Sequence, residues 1–109
     1  MAPYTELYIH CLWATWDRLP LLIPEIQPGV YAANRAKCEN LGCRVIALGG
    51  IDDHVHLLAR CTPTINPAKL IGEVKGASLH VVTHEVLLDA CLRWQGSYDI
   101  FTVGKRSVP

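Results

Sequence analysis

Two histidines separated by one valine stand out in the segment 49–61, which reads GGIDDHVHLLARC. Side chains alternate between the two faces of a β-strand, so His54 and His56 would share one face while Val55 occupies the other. Neutral imidazole is a common ligand of divalent metals. The spacing therefore predicts that His54 and His56 bind one metal ion, with further ligands supplied from elsewhere. The alternative is a pair of surface or half-buried histidines that bind no metal.

Two neighbouring residues extend this hypothesis. Asp52 is either a third ligand or a turn residue, and we favour the turn because aspartate is common there. His10, in the first predicted strand, is either a core histidine or a neighbour of the site. A second histidine pair, His80 and His84, has helical i, i+4 spacing. No glutamate follows His80, so the pair lacks the zinc-protease pattern and is interpreted as part of a solvated helix face.

The composition excludes several classes of protein. The chain has 109 residues, of which 50% are hydrophobic, and a formal net charge of zero. It therefore fits one folded domain rather than a disordered segment. The five cysteines contain no Cys-x-x-Cys pair, so reduced thiols in a cytoplasmic protein are expected. No signal peptide and no membrane-spanning run are recognised.

Hydrophobic patterns predict six elements in the order strand, helix, strand, strand, helix, strand. The predicted ranges are 4–16, 25–41, 43–51, 54–61, 67–88 and 97–103. This order is that of the ferredoxin-like βαββαβ sandwich, an α+β fold with an antiparallel sheet and two helices on one face. Because Val55 and Leu57 suit the helix-covered face, His54 and His56 are expected on the open face.

Four segments carry a resemblance to a known family: LWATWDRLPLL, DDHVHLLARCTP, LIGEVKGAS and WQGSYDIFTVG. In this order and spacing they resemble the HUH single-strand DNA transposases with one catalytic tyrosine, found in small bacterial insertion sequences and in the REP-associated group. The resemblance spans nearly the whole chain. It implies a ferredoxin-like core and, by motif match, assigns His54 and His56 as ligands of Mg²⁺ or Mn²⁺.

The resemblance also implies an activity. In the family the metal polarises a scissile phosphate in single-stranded DNA, and a tyrosine attacks to form a 5′-phosphotyrosine link. Members recognise hairpin DNA at the ends of the element and work as homodimers. We therefore expect DNA transposition as the function, with a homodimer formed by pairing of the sheet edges.

The family's tyrosine lies on a further helix after the last strand, and a glutamine four residues later commonly supplies the third metal ligand. By the resemblance, this tyrosine is expected beyond Pro109, the last residue of the sequence. Residues 1–109 are therefore expected to be the core domain without the nucleophile helix. The resident tyrosines, none of which has a glutamine at that spacing, are expected to contribute packing: Tyr4, Tyr8, Tyr31 and Tyr98.

Arg18 and Lys75 match basic positions common in the family and are the candidates for phosphate contacts. The weaker candidates for contact with DNA are Lys105, Arg106, Trp13, Trp16 and Trp94. Core packing is the favoured interpretation for Trp13 and Trp94.

Two alternatives to an active transposase remain open. One is a DNA-binding module that has lost catalysis, either as a remnant or by adopting another role. The other is a ferredoxin-like protein that binds a metal or a small ligand, which would account for His54 and His56 alone.

Overall fold

A computed structural model describes residues 7–86 and 91–103 of the chain. The predicted order of elements is confirmed. The strands and helices are β1 Leu7–Thr15, α1 Gln27–Asn40, β2 Arg44–Ile51, β3 His54–Cys61, α2 Pro67–Val81 and β4 Trp94–Val103. A 3₁₀ turn over Trp16–Arg18 follows β1, and a π-helical turn over Val82–Val86 follows α2.

The four strands form one sheet in the order β2-β3-β1-β4, and all neighbouring pairs are antiparallel. This is the strand order of the ferredoxin-like α+β fold, so the predicted fold class is confirmed. The histidine-bearing β3 is a central strand. Its register with β1 sets His54 opposite Ala14 and His56 opposite Leu12.

The core lies between the sheet and the two helices. Alternate residues of the central strands point into it and are almost fully buried: Ile9, Cys11, Trp13, Val55, Leu57 and Ala59. The helices contribute Val30, Leu70, Ile71 and Val74. Burying each Val, Leu or Ile side chain stabilises the fold by about 1.5–3 kcal/mol, so this packing fixes which face of β3 carries the histidines.

The helix ends follow local chemistry. Gly42 has φ +81° directly after the end of α1, in the left-handed region that glycine enters without steric cost. Asn66 caps α2, because its side-chain oxygen accepts a hydrogen bond of 3.2 Å from the backbone N–H of Lys69. Pro67 occupies the first turn of α2, where its missing N–H has no helical partner to lose. The predicted stop at Gly42 and the predicted start at Pro67 are both confirmed.

The hairpin between β2 and β3 is tight. As the predicted ranges of the two strands imply, β2 continues through Ile51, and only Asp52 and Asp53 form the turn. A Cβ atom at Gly50 would collide with the backbone carbonyl oxygen of His54. Glycine therefore lets β2 approach the start of β3, which sets His54 directly after the turn.

Two predicted boundaries are corrected. The second helix was expected to reach residue 88, but α-helical geometry ends at Val81 and a wider π-helical turn takes over; the end of the predicted range lies outside the described residues. The last strand begins at Trp94 rather than at residue 97, because β4 pairs with β1 as far as Thr15 opposite Trp94, across an irregularity in the ladder.

Four cysteines, Cys11, Cys38, Cys43 and Cys61, are buried as free thiols, and Cys91 is exposed. Burial raises the pKa of Cys11 and of Cys38 to about 12. These thiols therefore stay protonated and act as small apolar side chains. In the described part of the chain, neither helix has the length and apolar character needed to cross a membrane.

Candidate metal centre on the open sheet face

The two histidines of β3 lie side by side on the sheet face that the helices leave uncovered. The ring centroids of His54 and His56 are 4.6 Å apart, and the ring planes make an angle of 74°. Both side chains are half-buried, while Val55 and Leu57, on the opposite face, have no exposed surface. The predicted placement of the pair is therefore confirmed.

A third imidazole, from β1, lies next to this pair. His10 stacks on His56 with ring centroids 5.8 Å apart and an angle of 25° between the planes. On its other side Phe101 of β4 is 6.3 Å away. Of the two alternatives left open by the sequence, His10 is the neighbour of the site rather than a core histidine.

The environment of His56 favours its neutral form. Burial lowers the pKa of His56 below the usual value, and the nearby His54 and His10 lower it further, because another positive charge beside them is unfavourable. A neutral ring keeps one nitrogen lone pair available. This is the protonation state that a metal ligand requires.

A carboxylate that was not predicted as a site residue, that of Asp53, contacts the site. Oδ1 of Asp53 is 2.8 Å from Nδ1 of His54, and Oδ2 of Asp53 is 3.4 Å from Nε of Arg18. The hydrogen bond from His54 is the main cause that lowers the pKa of Asp53. Desolvation opposes this effect, and the charge of Arg18 adds to the lowering. The signal available in the sequence was a carboxylate directly before the first histidine. Asp52 lies in the turn, as favoured, and its backbone carbonyl accepts a 2.9 Å hydrogen bond from Leu22.

A cleft of about 490 Å³ opens beside His54. Its walls come from the end of β1, the 3₁₀ turn and the start of β4, and include Arg18, Tyr98 and Asp99. Polar and charged groups therefore surround one edge of the histidine pair, which suits a charged ligand better than an apolar one.

The two predicted phosphate contacts occupy different environments. The Arg18 side chain is 65% exposed and lines the cleft. Lys75 is half-buried on α2, where Nζ donates a 2.6 Å hydrogen bond to the backbone carbonyl of Gln95, and burial lowers its pKa. Lys75 thus joins α2 to the start of β4 and does not line the cleft. The weaker candidates, Lys105 and Arg106, lie outside the described residues.

The tryptophans divide as predicted. Trp13 is 2% exposed and meets Trp94 edge to face with centroids 6.1 Å apart. The indole N–H of Trp94 also donates a 3.2 Å hydrogen bond to the carbonyl of Lys75. Core packing is therefore confirmed for Trp13 and Trp94. Trp16 is 42% exposed. The guanidinium of Arg93 lies over one face of the Trp16 ring, 4.0 Å from the ring centroid.

Among the tyrosines, Tyr98 alone lines the cleft beside His54 within the described part of the chain. Tyr8 is buried and Tyr31 is half-buried, which agrees with the packing interpretation for both. Tyr4 lies outside the described residues.

The described residues do not test where the nucleophile implied by the family resemblance lies. It was expected beyond Pro109, and the described part of the chain ends with β4 at Val103, so Pro109 itself lies outside it. The absence of a catalytic tyrosine from residues 1–109 therefore stays a prediction from the sequence, and Tyr98 is the described phenol to test against it.

The second histidine pair, His80 and His84, lies at the end of α2 and in the π-helical turn. Its ring centroids are 4.4 Å apart, and both side chains are exposed. This agrees with the interpretation as a solvated helix face. Because the helices cover the opposite face of the sheet, the pair is not part of the site at His54 and His56.

The donor set at His54 and His56 fits a divalent ion that takes further ligands from elsewhere. Two imidazoles meet on one face, and the first carries a carboxylate on its other ring nitrogen, an arrangement typical of metal-binding histidines. Over residues 7–86 and 91–103, no group of three or more His, Cys, Asp or Glu side chains is placed to hold a metal. Neither Asp53 nor His10 therefore completes a site of three ligands.

Comparison with known proteins shows which family the sequence matches. The family described as "Transposase IS200 like" matches residues 3–109. A curated relative, the ISDra2 transposase TnpA of Deinococcus radiodurans, is 29% identical over 107 residues, which cover 94% of this chain and 76% of the relative.

Two solved structures share the fold. A crystal structure from Deinococcus radiodurans R1, of a protein described as a transposase, has a TM-score of 0.74 and 28% identity, covering 93% of this chain and 82% of its own. A REP-associated tyrosine transposase bound to a REP hairpin has a TM-score of 0.71 and 11% identity, covering 93% of this chain and 58% of its own. At 11% identity the likeness concerns the fold alone.

Proposed function

The chain belongs to the IS200-like transposase family, and from that premise we propose that it cuts and rejoins single-stranded DNA during transposition of an insertion sequence. The observation that carries the proposal is the pair His54 and His56, side by side on the uncovered sheet face. The relatedness to a transposase of Deinococcus radiodurans supports it. We assign the reaction to the cytoplasm, where such a substrate is found.

We propose that His54 and His56 hold a divalent ion, Mg²⁺ or Mn²⁺, through one ring nitrogen each. When bound, the ion would neutralise the charge that develops on a scissile phosphate. His56 suits this role because burial lowers its pKa and keeps the ring neutral. The cleft beside His54, with Arg18 on its wall, would receive the DNA strand.

The nucleophile is proposed to be a tyrosine beyond Pro109, and residues 1–109 would then form the core domain. Attack of the phenol oxygen on phosphorus would form a 5′-phosphotyrosine bond and break the bond to the 3′ oxygen, which leaves as a hydroxyl. The new ester keeps the energy of the phosphodiester, so rejoining needs no ATP. A glutamine four residues after the tyrosine would lie on the same helix face; none of the chain's own tyrosines has this neighbour.

Tyr98 is the internal alternative, because it is 40% exposed and lines the same cleft as His54. The variant Tyr98→Phe distinguishes the two sources. If the nucleophile is a tyrosine beyond Pro109, the protein encoded by the whole reading frame and carrying Tyr98→Phe should cleave DNA at close to the wild-type rate. Loss of the covalent protein–DNA adduct in Tyr98→Phe would instead assign the nucleophile to Tyr98.

Hairpin DNA is the proposed partner, with Arg18 and Lys75 as phosphate contacts. Arg18 suits this role because it is exposed on the cleft wall. Lys75 donates to the Gln95 carbonyl and has two further N–H groups. Removing a phosphate contact should lower the slope of log affinity against log salt by about 1. Arg18→Ala should show this change, and a smaller change is expected for Lys75→Met.

A homodimer is proposed to form through the edges of the sheet. In the order β2-β3-β1-β4 the outer strands β2 and β4 each leave one side unpaired by the other described strands. Unpaired backbone groups on an edge strand are a template for pairing with a second copy. Light scattering at high protein concentration should give the mass of a dimer, and a monomer would contradict this part of the proposal.

The experiment that tests the function combines binding with cleavage. Hairpin DNA with a single-stranded flank should bind at low salt, more tightly than a blunt duplex of the same length. In Mg²⁺, the protein from the whole reading frame should form a covalent adduct with this DNA, and His54→Ala should bind the hairpin but form no adduct. Failure of the wild-type protein to bind hairpin DNA at low salt would overturn the proposal.

The alternatives give different outcomes. A reading frame that continues past Pro109 into a helix with Tyr-x-x-x-Gln supports the enzyme. A stop codon there favours a DNA-binding module without catalysis, whether a remnant or a protein with another role. A ferredoxin-like protein for metals or small ligands would bind Mn²⁺ at His54 and His56 without binding hairpin DNA.

A further inference from the structure

The carboxylate of Asp53 lies between an imidazole and a guanidinium. Oδ1 is 2.8 Å from Nδ1 of His54, and Oδ2 is 3.4 Å from Nε of Arg18. The backbone of Asp53 is fixed as well, because its carbonyl accepts two hydrogen bonds from Thr15. The backbone N–H of Thr15 donates one at 2.9 Å, and the Thr15 hydroxyl donates the other at 3.2 Å. Thr15 is completely buried. The backbone of Asp53 is therefore attached to the core, while its carboxylate faces His54.

The arginine on the other oxygen is held by an unusual turn. Asp17 and Arg18 both adopt left-handed backbone conformations, with φ of 55° and 54°. Residues other than glycine rarely keep this conformation unless their surroundings impose it. Here the N–H of Asp17 donates a 3.1 Å hydrogen bond to Oε1 of Gln95. The backbone carbonyl of Gln95 in turn accepts a 2.6 Å hydrogen bond from Nζ of Lys75. Gln95 therefore connects α2 to the turn that carries Arg18.

The chemistry of the contact decides the state of the imidazole. An ionised carboxylate only accepts hydrogen bonds, so Nδ1 of His54 must be the donor. In the neutral ring, Nε2 is then the nitrogen with the free lone pair. We propose that Asp53, held in place by Arg18, is a positioning residue that fixes His54 in the Nδ1-protonated tautomer and so reserves Nε2 for a metal ion. The inference rests on the proposed function for the identity of the ligand, but the tautomer itself does not depend on it.

The test reads the tautomer in the metal-free protein, so it remains informative even if the proposed function fails. Long-range ¹H–¹⁵N spectra of the histidine rings should show Nδ1 of His54 protonated in the wild-type chain. In Asp53→Ala, the signals should change to those of a ring protonated mainly on Nε2. Asp53→Asn retains an acceptor oxygen and should restore the wild-type pattern. Asp52→Ala, which alters the neighbouring turn aspartate, should leave the His54 signals unchanged.

A backbone amide spectrum identifies any variant that has lost its fold. If Asp53→Ala proves to be unfolded, Arg18→Ala takes its place, because it loosens the carboxylate from the surface and should give a mixture of the two tautomers. An unchanged Nδ1-protonated His54 in folded Asp53→Ala would overturn the proposal. So would a wild-type His54 that is protonated on Nε2.

A second measurement connects the tautomer to the metal. Groups that orient a metal-bound histidine typically contribute about 10–100-fold to affinity. Binding of Mn²⁺, followed by electron paramagnetic resonance, should therefore weaken by about that factor in Asp53→Ala and stay near the wild-type level in Asp52→Ala. Equal Mn²⁺ affinity in wild type and Asp53→Ala, together with a changed tautomer, would contradict the positioning role. If the wild-type chain binds no Mn²⁺, the metal assignment fails. The tautomer measurement alone then tests whether Asp53 positions His54.

Discussion

The rings of His54 and His56 meet edge to face with their centroids 4.6 Å apart, and the residue between them, Val55, is completely buried. The two facts have one cause, since neighbouring residues of a strand point to opposite faces. A slip of one residue in β3 would move both imidazoles into the core and expose Val55. Packing of the core thus keeps the histidine pair on the open face.

The β2–β3 hairpin gives a matched pair of glycine variants. Gly50→Ala should destabilise the fold by about 1–3 kcal/mol, the usual cost of forcing extra atoms into a packed region, because a Cβ there meets the backbone carbonyl of His54. Gly49→Ala should change stability by less than about 0.5 kcal/mol, since its Cβ meets nothing within 4 Å. Urea unfolding of both variants measures the difference, and equal midpoints would contradict the account of the hairpin.

The two faces of the sheet should differ in how they tolerate loss of an aromatic ring. Trp13 is 2% exposed, and Trp13→Ala should lower the free energy of unfolding by about 3–5 kcal/mol. Phe101 is 55% exposed, and Phe101→Ala should lower it by less than about 1 kcal/mol. Denaturation followed by circular dichroism measures the free energy of unfolding of both variants. A large loss in Phe101→Ala would mean that the open face also packs against the body of the protein.

Thiol labelling should separate the cysteines by burial. The thiolate is the reactive form, and the pKa of Cys11 and of Cys38 is raised to about 12 by burial. At pH 8 these thiols are therefore protonated as well as shielded, and their reactivity would rise only as the pH approaches 12. In the native protein Cys91 should react first with an aromatic disulfide reagent, and the other four only after unfolding. Cys91→Ser should remove the fast phase; a second fast thiol in that variant would contradict the packing.

Local patterns were sufficient to predict the fold and the histidine pair. The range of β3 and the face of its histidines follow from alternation within a single strand, and the start of α2 at Pro67 follows from the chemistry of the first helical turn. The end of α2 did not follow, because the π-helical turn over Val82–Val86 continues an apolar pattern without α-helical geometry. Periodicity reports which residues are apolar but not which hydrogen bonds close each turn.

The contacts around the histidines could not be predicted in the same way. The hydrogen bond between Asp53 and His54 depends on the two-residue turn, and the contact between Gln95 and Asp17 joins residues 78 positions apart. The sequence likewise could not show that Lys75 donates to the Gln95 carbonyl. Its role in DNA binding stays a prediction, because a basic residue on a helix can serve packing and phosphate contact alike.

His54 and His56 are proposed to form the metal centre of a transposase core. Titration of Mn²⁺ into the chain, followed by electron paramagnetic resonance, is the measurement that decides this. One ion should bind per chain, and His54→Ala and His56→Ala should each weaken binding by at least about 10-fold, whereas His10→Ala should change it little, because His10 completes no three-ligand group among the described residues. Wild-type Mn²⁺ affinity in folded His54→Ala and His56→Ala would contradict the claim.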